Sequence, residues 1–259
     1  MSDLQPRLPL PELSLVVITR DAGAQLAACL DSVPFAAETL VVDSGSRDDT
    51  VEIASARGAR VIEQPWLGFG PQRRYAVGEA AHDWVLCLDA DERLSPELAI
   101  AIGAALREPS HAAFEMARRN RFFGCWLRHG EGYPDWTIRL FDRRHARWTD
   151  DVVHEHVVAD GPVGRLDGDL LHASAESLDA YLAKQNRYST LQAEAMHARG
   201  EHFSWVRLVG SPLARFVRFY VLRAGFLDGS AGLVHIAIGS FTSFCKYAKL
   251  RALDRPVDL

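Results

Sequence analysis

Two acidic residues that follow a buried run are the first candidates for chemistry in this sequence. Asp89 and Asp91 flank one alanine, Ala90, at the end of the apolar residues 84–88. These residues predict a buried strand, which would place both acids at the carboxyl edge of a sheet, where open α/β folds bind ligands. Divalent cations such as Mg²⁺ prefer carboxylate and phosphate oxygens. The spacing therefore favours a site for a metal and a diphosphate, although an isolated pair of this kind also fits a solvated strand end.

Two earlier apolar runs, at residues 13–19 and 39–42, also end in polar residues. These polar residues are Thr19, Arg20, Asp21, Asp43, Ser44 and Ser46. Each group alone fits a turn or a helix cap. Parallel strands bring their carboxyl ends to one edge of a sheet, so acids after three strands would line a single crevice. We therefore predict that Asp21 and Asp43 bind a nucleoside and that the serines lie near its diphosphate.

A short basic segment follows the loop at residues 66–71, which contains glycine and proline. It consists of Gln72, Arg73 and Arg74, at the start of a predicted helix over residues 72–81. Cations next to an acidic crevice can bind a diphosphate or the edge of a base. A solvated basic helix face is the alternative interpretation.

The pattern of apolar residues predicts the elements that position these side chains. Strand, helix, strand, helix and strand follow one another up to residue 62, which is typical of a parallel sheet with right-handed crossovers. A helix over residues 95–107 and a strand over 111–118 follow. Residues 119–172 predict antiparallel strands on the acceptor side, with short apolar runs at 136–141 and 152–158. From residue 177 the spacing indicates three long helices, over residues 178–199, 203–222 and 232–250, and no apolar run reaches the roughly 20 residues that a membrane-spanning helix requires.

Composition and charge narrow the class of protein. The 259 residues are 48% hydrophobic and 24% charged, as in a globular protein with a sizeable core. The four cysteines are widely spaced, which favours a reducing compartment over a disulfide framework or a zinc cluster. The amino terminus has prolines and no long apolar segment, so we do not expect a secretory signal. Residues 199–259 carry nine Lys and Arg against four Asp and Glu, a balance of +5, whereas residues 1–198 carry −10.

An ordered set of motifs resembles the family 2 inverting glycosyltransferases, which have the GT-A fold. The motifs are L-S-L-V-V-I-T-R-D, V-V-D-S-G-S-x-D-D-T, G-F-G-P-Q, W-V-L-C-L-D-A-D-E-R, R-L-F, V-H-E and L-L-H, in this order along the chain. The later runs R-Y-S-T, Y-V-L-R-A-G-F-L-D-G and K-Y-x-K-L are similar to the branch of glucosyltransferases that build the lipopolysaccharide core. The resemblance covers residues 13–250.

The resemblance implies roles for individual residues. It implies a nucleotide-sugar donor, most simply a UDP-hexose, whose nucleoside contacts Asp21 and Asp43. It also implies a Mg²⁺ or Mn²⁺ ion held by Asp89 and Asp91, with Asp91 the more direct ligand. Relatives often have Lys-Asn where this chain has Arg73 and Arg74, and the change weakens any assignment of a uracil contact to Arg74.

An inverting transfer needs a general base, because the acceptor hydroxyl must lose its proton as it attacks. The acids Asp135, Asp150, Asp151 and Glu155 are candidates. The V-H-E motif of the family points to Glu155, and Asp151 is the second choice. The resemblance further suggests His172 as a third metal ligand, and Trp136 could stack on a sugar, although packing in the protein fits both residues equally well.

The carboxy-terminal residues suggest a membrane surface as partner. Arginines alternate with aromatic residues over 215–223, as in interfacial helices, although a helix packed on the body with a solvated basic face has the same pattern. Because the implied acceptor is a lipid-linked saccharide, the +5 balance favours an anionic membrane. Nucleic-acid binding is not expected, because no motif for it is recognisable.

These inferences combine into one predicted protein. We predict a GT-A α/β domain over residues 10–175, with a mixed, mainly parallel sheet flanked by helices, and a helical, basic, membrane-associating extension over 176–259. The protein would be a metal-dependent hexosyltransferase acting on a lipopolysaccharide-core or other lipid-linked acceptor, cytoplasmic and peripheral on the inner face of a bacterial inner membrane. Two alternatives remain open, a sugar nucleotidyltransferase and a non-catalytic membrane-associated scaffold.

Overall fold

Strands and helices alternate over the first part of the chain, as the apolar pattern predicts. The structure, a computed structural model, describes residues 10–149, 155–173 and 177–254. The strands are β1 (Leu10–Thr19), β2 (Ala36–Asp43), β3 (Arg60–Glu63), β4 (Trp84–Asp89), β5 (Glu92–Leu94), β6 (Ala113–Phe122), β7 (Cys125–Trp126), β8 (Asp135–Asp142), β9 (Ala146–Trp148), β10 (Val157–Ala159) and β11 (Val163–His172). The helices are α1 (Gly23–Asp31), α2 (Thr50–Ala56), α3 (Phe69–Glu79), α4 (Pro96–Arg107), α5 (Leu178–Ala198), α6 (Trp205–Phe216) and α7 (Gly229–Asp254).

The central feature is a nine-stranded mixed sheet. Its order is β3-β2-β1-β4-β8-β6-β11-β5, with β7 paired to β6. The first four strands in that order are parallel to one another. The pairs β4–β8, β8–β6 and β11–β5 are antiparallel, and β9 and β10 form a separate antiparallel pair.

The register of the parallel strands aligns the predicted site residues. Thr19 at the end of β1 pairs with Asp43 at the end of β2. On the other side of β1, Ile18 pairs with Asp89 at the end of β4. The carboxyl ends of three strands therefore meet at one edge of the sheet, as the polar residues after each apolar run predict.

The strands β1 and β4 and the second half of β2 are buried on both faces, which explains why their sequences are continuously apolar. Successive side chains in a strand point to opposite faces. On β4, Leu86 and Leu88 pack in one cluster with α1 and α4 residues such as Leu26 and Leu98. Val85 and Cys87 belong to a second cluster, which includes Ala76 of α3. Two cores thus hold the sheet between helices and fix the positions of the strand ends.

Some elements differ from the sequence prediction. The strand β5 is not predicted from the sequence, because its three residues are too few to show an alternation of apolar and polar side chains. The predicted strand over 111–118 extends to Phe122, and the predicted helix over 203–222 divides into α6 and a π-helix, Val217–Leu222. The predicted strand over 152–158 lies partly outside the described residues.

The chain divides into two compact units. The first unit comprises Met1–Arg118 and Asp135–Ala173, and the second comprises Arg119–Pro134 and Ser174–Leu259. The predicted domain boundary between residues 175 and 176 stays a prediction. Residues 119–134, which precede this boundary in sequence, belong to the second unit. These residues bond within the second unit: Asp228 accepts hydrogen bonds from the backbone N–H groups of Arg128 and His129, and Arg215 pairs with Glu131.

The second unit is built from α5, α6, the π-helix, a short 3₁₀ turn (Gly225–Asp228) and α7. Ser177 caps α5, since its hydroxyl accepts a hydrogen bond from the Ala180 N–H. Ala193 and Met196 of α5 pack against Leu250 of α7. Within the parts of the chain that the structure describes, no single helix has both the length and the apolar composition of a membrane span. The pair Trp205–Leu222 and Gly225–Asp254, bent by 75°, meets both criteria together.

Candidate active site

The loop after β2 is organised around the buried carboxylate of Asp43. One carboxylate oxygen accepts hydrogen bonds from the Thr19 hydroxyl at 2.9 Å and from the Ser46 hydroxyl. The other accepts from the backbone N–H groups of Gly45 and Ser46, at 2.9 and 2.8 Å. A carboxylate has about four acceptor positions, so the loop itself uses the full capacity of Asp43. Asp43 thereby fixes the loop, and its predicted contact with a nucleoside stays a prediction.

Asp21 is tied to the same loop. Its backbone N–H donates to the Ser46 hydroxyl, and its carboxylate accepts from the Arg47 backbone N–H, both at 2.8 Å. Asp21 has a positive φ of 51°, a conformation that Asp adopts more readily than most residues. Arg20 and Asp21 are both exposed, so the predicted nucleoside-binding residues form an accessible rim around the buried Asp43.

Gln72 connects this loop to α3. Its side chain is fully buried, and its amide nitrogen donates to the Ser44 hydroxyl at 3.0 Å. Its amide oxygen accepts from the Leu67 backbone N–H at 3.3 Å. Gln72 therefore holds two loops together at the sheet edge, which brings the predicted residues Ser44 and Gln72 into contact.

The two arginines that follow Gln72 have different environments. Arg74 is exposed. Arg73 is buried, and its guanidinium binds Asp89 at 2.5 Å and also Glu155. The Trp148 ring lies 4.6 Å from this guanidinium. Of the two predicted basic residues, Arg73 thus joins the acid at the end of β4 to the predicted general base.

Arg139 is a second buried arginine at this edge, and it is not among the residues predicted from the sequence. Its guanidinium lies 2.8 Å from Asp89 and 2.7 Å from Glu92. A register shift between β6 and β8 positions it: Phe114 pairs with Leu140 and Glu115 pairs with Ile138. Arg139 is the extra residue of this β-bulge, and bulges of this kind commonly redirect a side chain toward an active site.

Glu92 completes the buried part of the network. It is fully buried, and its carboxylate accepts a hydrogen bond from the Asp89 backbone N–H at 3.1 Å. Arg118 lies 3.5 Å from Glu92 and 2.6 Å from Asp135. Three arginines therefore alternate with carboxylates, an arrangement that compensates the cost of burying each charge.

Asp89 is held as an anion by its neighbours. Burial alone would raise the pKa of this carboxyl, but Arg139 and Arg73 outweigh burial and hold the pKa well below its usual range. The same carboxylates, Glu92 and Asp89, raise the pKa of Arg139 although burial alone would lower it. Both side chains are therefore charged at neutral pH.

The predicted metal ligands have two different environments. Each oxygen of Asp89 binds an arginine, and the prediction that Asp89 helps to hold the cation stays a prediction. Asp91 lies 3.2 Å from the Nε2 atom of His172. The pairing of β5 with β11 places Glu92 opposite His172. The preceding residue, Asp91, therefore lies close to His172, although the two are 81 positions apart in the sequence. Among the described residues, no group of three or more Cys, His, Asp or Glu side chains is arranged to hold a metal.

The remaining predicted residues lie at or beyond the margin of this network. Glu155 is half-buried next to Arg73. Asp151 lies outside the described residues. Trp136 is 39% exposed, and its ring lies 4.5 Å from the guanidinium of Arg165, so its predicted contact with a sugar stays a prediction.

Sequence reasoning missed Glu92, Arg118, Arg139 and Trp148. Two of them lie within the motifs that carry the family resemblance. Glu92 follows Asp91 directly in D-A-D-E-R, and Arg139 begins R-L-F. A charged residue inside the strand β8, between the apolar residues Ile138 and Leu140, could have indicated Arg139, but the partner of that charge depends on the order of the strands.

Known proteins resemble this chain over most of its length. The model of the family described as Glycosyl transferase family 2 matches residues 14–158. An uncharacterized glycosyltransferase of Rickettsia typhi is 32% identical over 94% of this chain and 88% of its own length. The lipopolysaccharide core biosynthesis glycosyltransferase LpsC of Rhizobium meliloti is 29% identical over 95% of this chain and 93% of its own length.

Solved structures resemble the chain more distantly. Mannosyl-3-phosphoglycerate synthase from Rubrobacter xylanophilus is 19% identical, with a TM-score of 0.48 over 73% of this chain and 75% of that one. Glucosyl-3-phosphoglycerate synthase from Mycobacterium tuberculosis, solved in complex with Mn²⁺, UDP-glucose and phosphoglyceric acid, is 25% identical, with a TM-score of 0.36 over 42% of this chain and 44% of that one.

Proposed function

The chain belongs to glycosyl transferase family 2, and we propose that it transfers a hexose, with glucose the first candidate, from a nucleotide sugar to a lipopolysaccharide-core or other lipid-linked saccharide. The family makes the chain a glycosyltransferase. The choice of acceptor is supported by the motifs of the carboxy-terminal part and by the likeness to a lipopolysaccharide-core enzyme over nearly the whole chain.

One observation carries the proposed arrangement of substrates. Arg73 touches both Asp89 and Glu155, and the preceding residue Gln72 binds Ser44 in the loop organised by Asp43. The nucleoside of a UDP-sugar would bind at the exposed rim formed by Asp21 and the loop after β2. Its diphosphate would approach Arg73, because guanidinium groups bind phosphate oxygens through paired hydrogen bonds. The sugar would then lie between the diphosphate and Glu155.

In the proposed reaction, Glu155 acts as the general base. The acceptor hydroxyl attacks the anomeric carbon from the side opposite the diphosphate, and this direction of attack inverts the configuration of that carbon. As it attacks, the hydroxyl gives its proton to the Glu155 carboxylate. The new glycosidic bond forms as the bond to the nucleoside diphosphate breaks. Arg73 orients Glu155 through their ion pair, and Asp151 remains the second choice for the base.

Asp91 and His172 are the residues that would hold Mg²⁺ or Mn²⁺. Their proximity at 3.2 Å supplies two donors of the type that these ions accept. Two protein ligands suit an ion whose other ligands are water and substrate phosphate oxygens. A bound ion would stabilise the negative charge that develops on the leaving diphosphate. Asp89, which binds arginines, would contact the donor ribose or order Arg73 instead.

The test uses the purified full-length chain with UDP-glucose, Mn²⁺ or Mg²⁺, and a deacylated lipopolysaccharide-core oligosaccharide. Mass spectrometry should show an acceptor that is heavier by one hexose. Glu155→Gln should lower kcat by about 10²-fold or more, whereas Glu108→Gln, at an exposed acid at the end of α4, should leave it unchanged. Absence of both binding and turnover with every UDP- and GDP-sugar would refute the proposal. A product formed from a sugar phosphate and a nucleoside triphosphate would instead identify a nucleotidyltransferase.

The proposed acceptor determines where the protein works. A saccharide anchored in lipid is accessible only at a membrane surface, and nucleotide sugars are cytoplasmic substrates. We therefore propose that the enzyme acts at the inner face of a bacterial inner membrane.

A further inference from the structure

The second unit has an apolar helix face that is fully turned to solvent. It runs along α6 and the π-helix and consists of Val206, Val209, Leu213, Val217, Val221 and Leu222, whose exposed fractions range from 41% to 81%. The first five of these residues recur every three or four positions, the spacing that places side chains on one face of a helix, and Leu222 adjoins Val221. We call this surface the α6 face. Soluble proteins rarely expose a continuous apolar surface of this extent unless it binds something.

The opposite side of the same helix is already packed within the second unit. Leu208 is buried, and the Ser211 hydroxyl lies 2.9 Å from the Ser243 hydroxyl of α7. Arg215 pairs with Glu131. These contacts fix the rotation of the helix about its axis, so the α6 face points outward because its other face is occupied.

Charged and aromatic residues border the α6 face. Arg207 and Arg218 are exposed beside it, and residues 199–259 have a balance of +5. Trp205, at the first position of α6, is 63% exposed, and the guanidinium of Arg251 lies 4.5 Å from its ring. Apolar side chains bordered by arginine and tryptophan match the interface of an anionic bilayer, where acyl chains lie just below negative headgroups.

We propose that the α6 face inserts into one leaflet of an anionic membrane, with the helix lying in the plane of the bilayer. In this orientation Val209 and Leu213 contact acyl chains, and Arg207 and Arg218 contact lipid phosphates. Ser211 and Arg215 keep their partners within the protein, on the side away from the lipid. This proposal is argued from the geometry of the second unit alone. It extends the proposed function, because it names an anionic membrane as the partner of that unit.

The first experiment measures sedimentation of the full-length protein with vesicles. The protein should bind vesicles of phosphatidylcholine and phosphatidylglycerol much more strongly than vesicles of phosphatidylcholine alone. Val209→Asp/Leu213→Asp should weaken this binding by about tenfold or more, because charged residues partition poorly into the bilayer. Ile100→Asp/Val163→Asp, at exposed apolar positions of the first unit, is the matched control and should bind normally. Since all four positions are exposed, circular dichroism and thermal unfolding should show that both variants fold.

Four further measurements test the membrane surface against a membrane-spanning segment, a contact between two copies of the chain and an activity that needs no membrane. Arg207→Gln/Arg218→Gln should weaken binding to the anionic vesicles and make it less dependent on salt. Alkaline carbonate should release the bound protein, and retention in the membrane would overturn the in-plane orientation. If wild-type protein forms a dimer that Val209→Asp/Leu213→Asp dissociates, and binds no vesicles, the α6 face joins two copies and the proposal is wrong. Turnover of a water-soluble acceptor by wild-type protein that does not bind vesicles would refute the membrane surface and leave the proposed function intact.

Discussion

Replacing Arg139 by methionine tests whether the buried network at the sheet edge stabilises the first unit. Methionine retains most of the aliphatic length of arginine and removes its charge. The change leaves Asp89 and Glu92 without the guanidinium that lies 2.8 and 2.7 Å from them. Removal of one partner from a buried ion pair costs about 3–5 kcal/mol, because the remaining charge stays buried. Arg73 and Arg118 still bind the two carboxylates, so we expect the lower limit, about 3 kcal/mol.

The assay is urea unfolding at neutral pH, with Arg57→Met as the matched control. Arg57 also pairs with an aspartate, Asp31, at 2.8 Å, but the side chain of Asp31 is 61% exposed. Exposed pairs contribute at most about 1 kcal/mol, so the control should change the free energy of unfolding little. A double variant, Arg139→Met/Glu92→Gln, should recover part of the loss, since it also removes one of the unpaired charges. Equal effects of Arg139→Met and Arg57→Met on the free energy of unfolding would refute a stabilising role for the buried network.

Three other measurements follow from the same region. The pKa of Asp89 is lower in the folded protein than the roughly 3.9 of an unfolded chain, so its stabilising contribution should be complete above about pH 4 and should fall as the pH decreases further; urea unfolding between pH 3 and 7 should show this loss, and a flat profile in this range would contradict it. Burial raises the pKa of the Cys87 thiol to about 11, so at about pH 8 a thiol reagent should modify the exposed Cys125 well before Cys87; equal rates measured by mass spectrometry would show that the core opens quickly. Gln72→Ala should lower the free energy of unfolding by about 1–3 kcal/mol, because Gln72 is fully buried and its removal leaves the Leu67 N–H and the Ser44 hydroxyl without this partner; a thermal unfolding curve that matches wild type would mean that water replaces the amide.

The sequence predicts the part of the fold that depends on local pattern. The family 2 resemblance and the GT-A fold class, with a mixed sheet flanked by helices and a helical carboxy-terminal part, are confirmed. The strands that end at Thr19, Asp43 and Asp89 are recognisable because each is a continuous apolar run followed by polar residues. Runs that are buried on both faces are typical of parallel strands, and parallel strands have their carboxyl ends at the same edge of the sheet. The structure places the three ends at one edge.

The missed parts depend on contacts between residues that are distant in sequence. Arg139 acquires its position from a bulge opposite the β6 residues Phe114 and Glu115, and no pattern within β8 indicates an extra residue. Residues 119–134 belong to the second unit through partners such as Asp228, about 100 positions later. Arg73 and Arg74 are adjacent and chemically identical, so only the packing of α3 decides which one is buried.

The position of Arg73 between two carboxylates should couple the binding of the proposed donor to the binding of the proposed acceptor. One guanidinium binds Glu155 through one terminal nitrogen and Asp89 through the other, so a movement of Arg73 toward a ligand would lengthen at least one of these two contacts. Any ligand that draws Arg73 toward the donor end therefore releases the carboxylate at the acceptor end. Thermodynamic linkage makes this effect mutual, so donor and acceptor should each change the affinity of the other by the same factor.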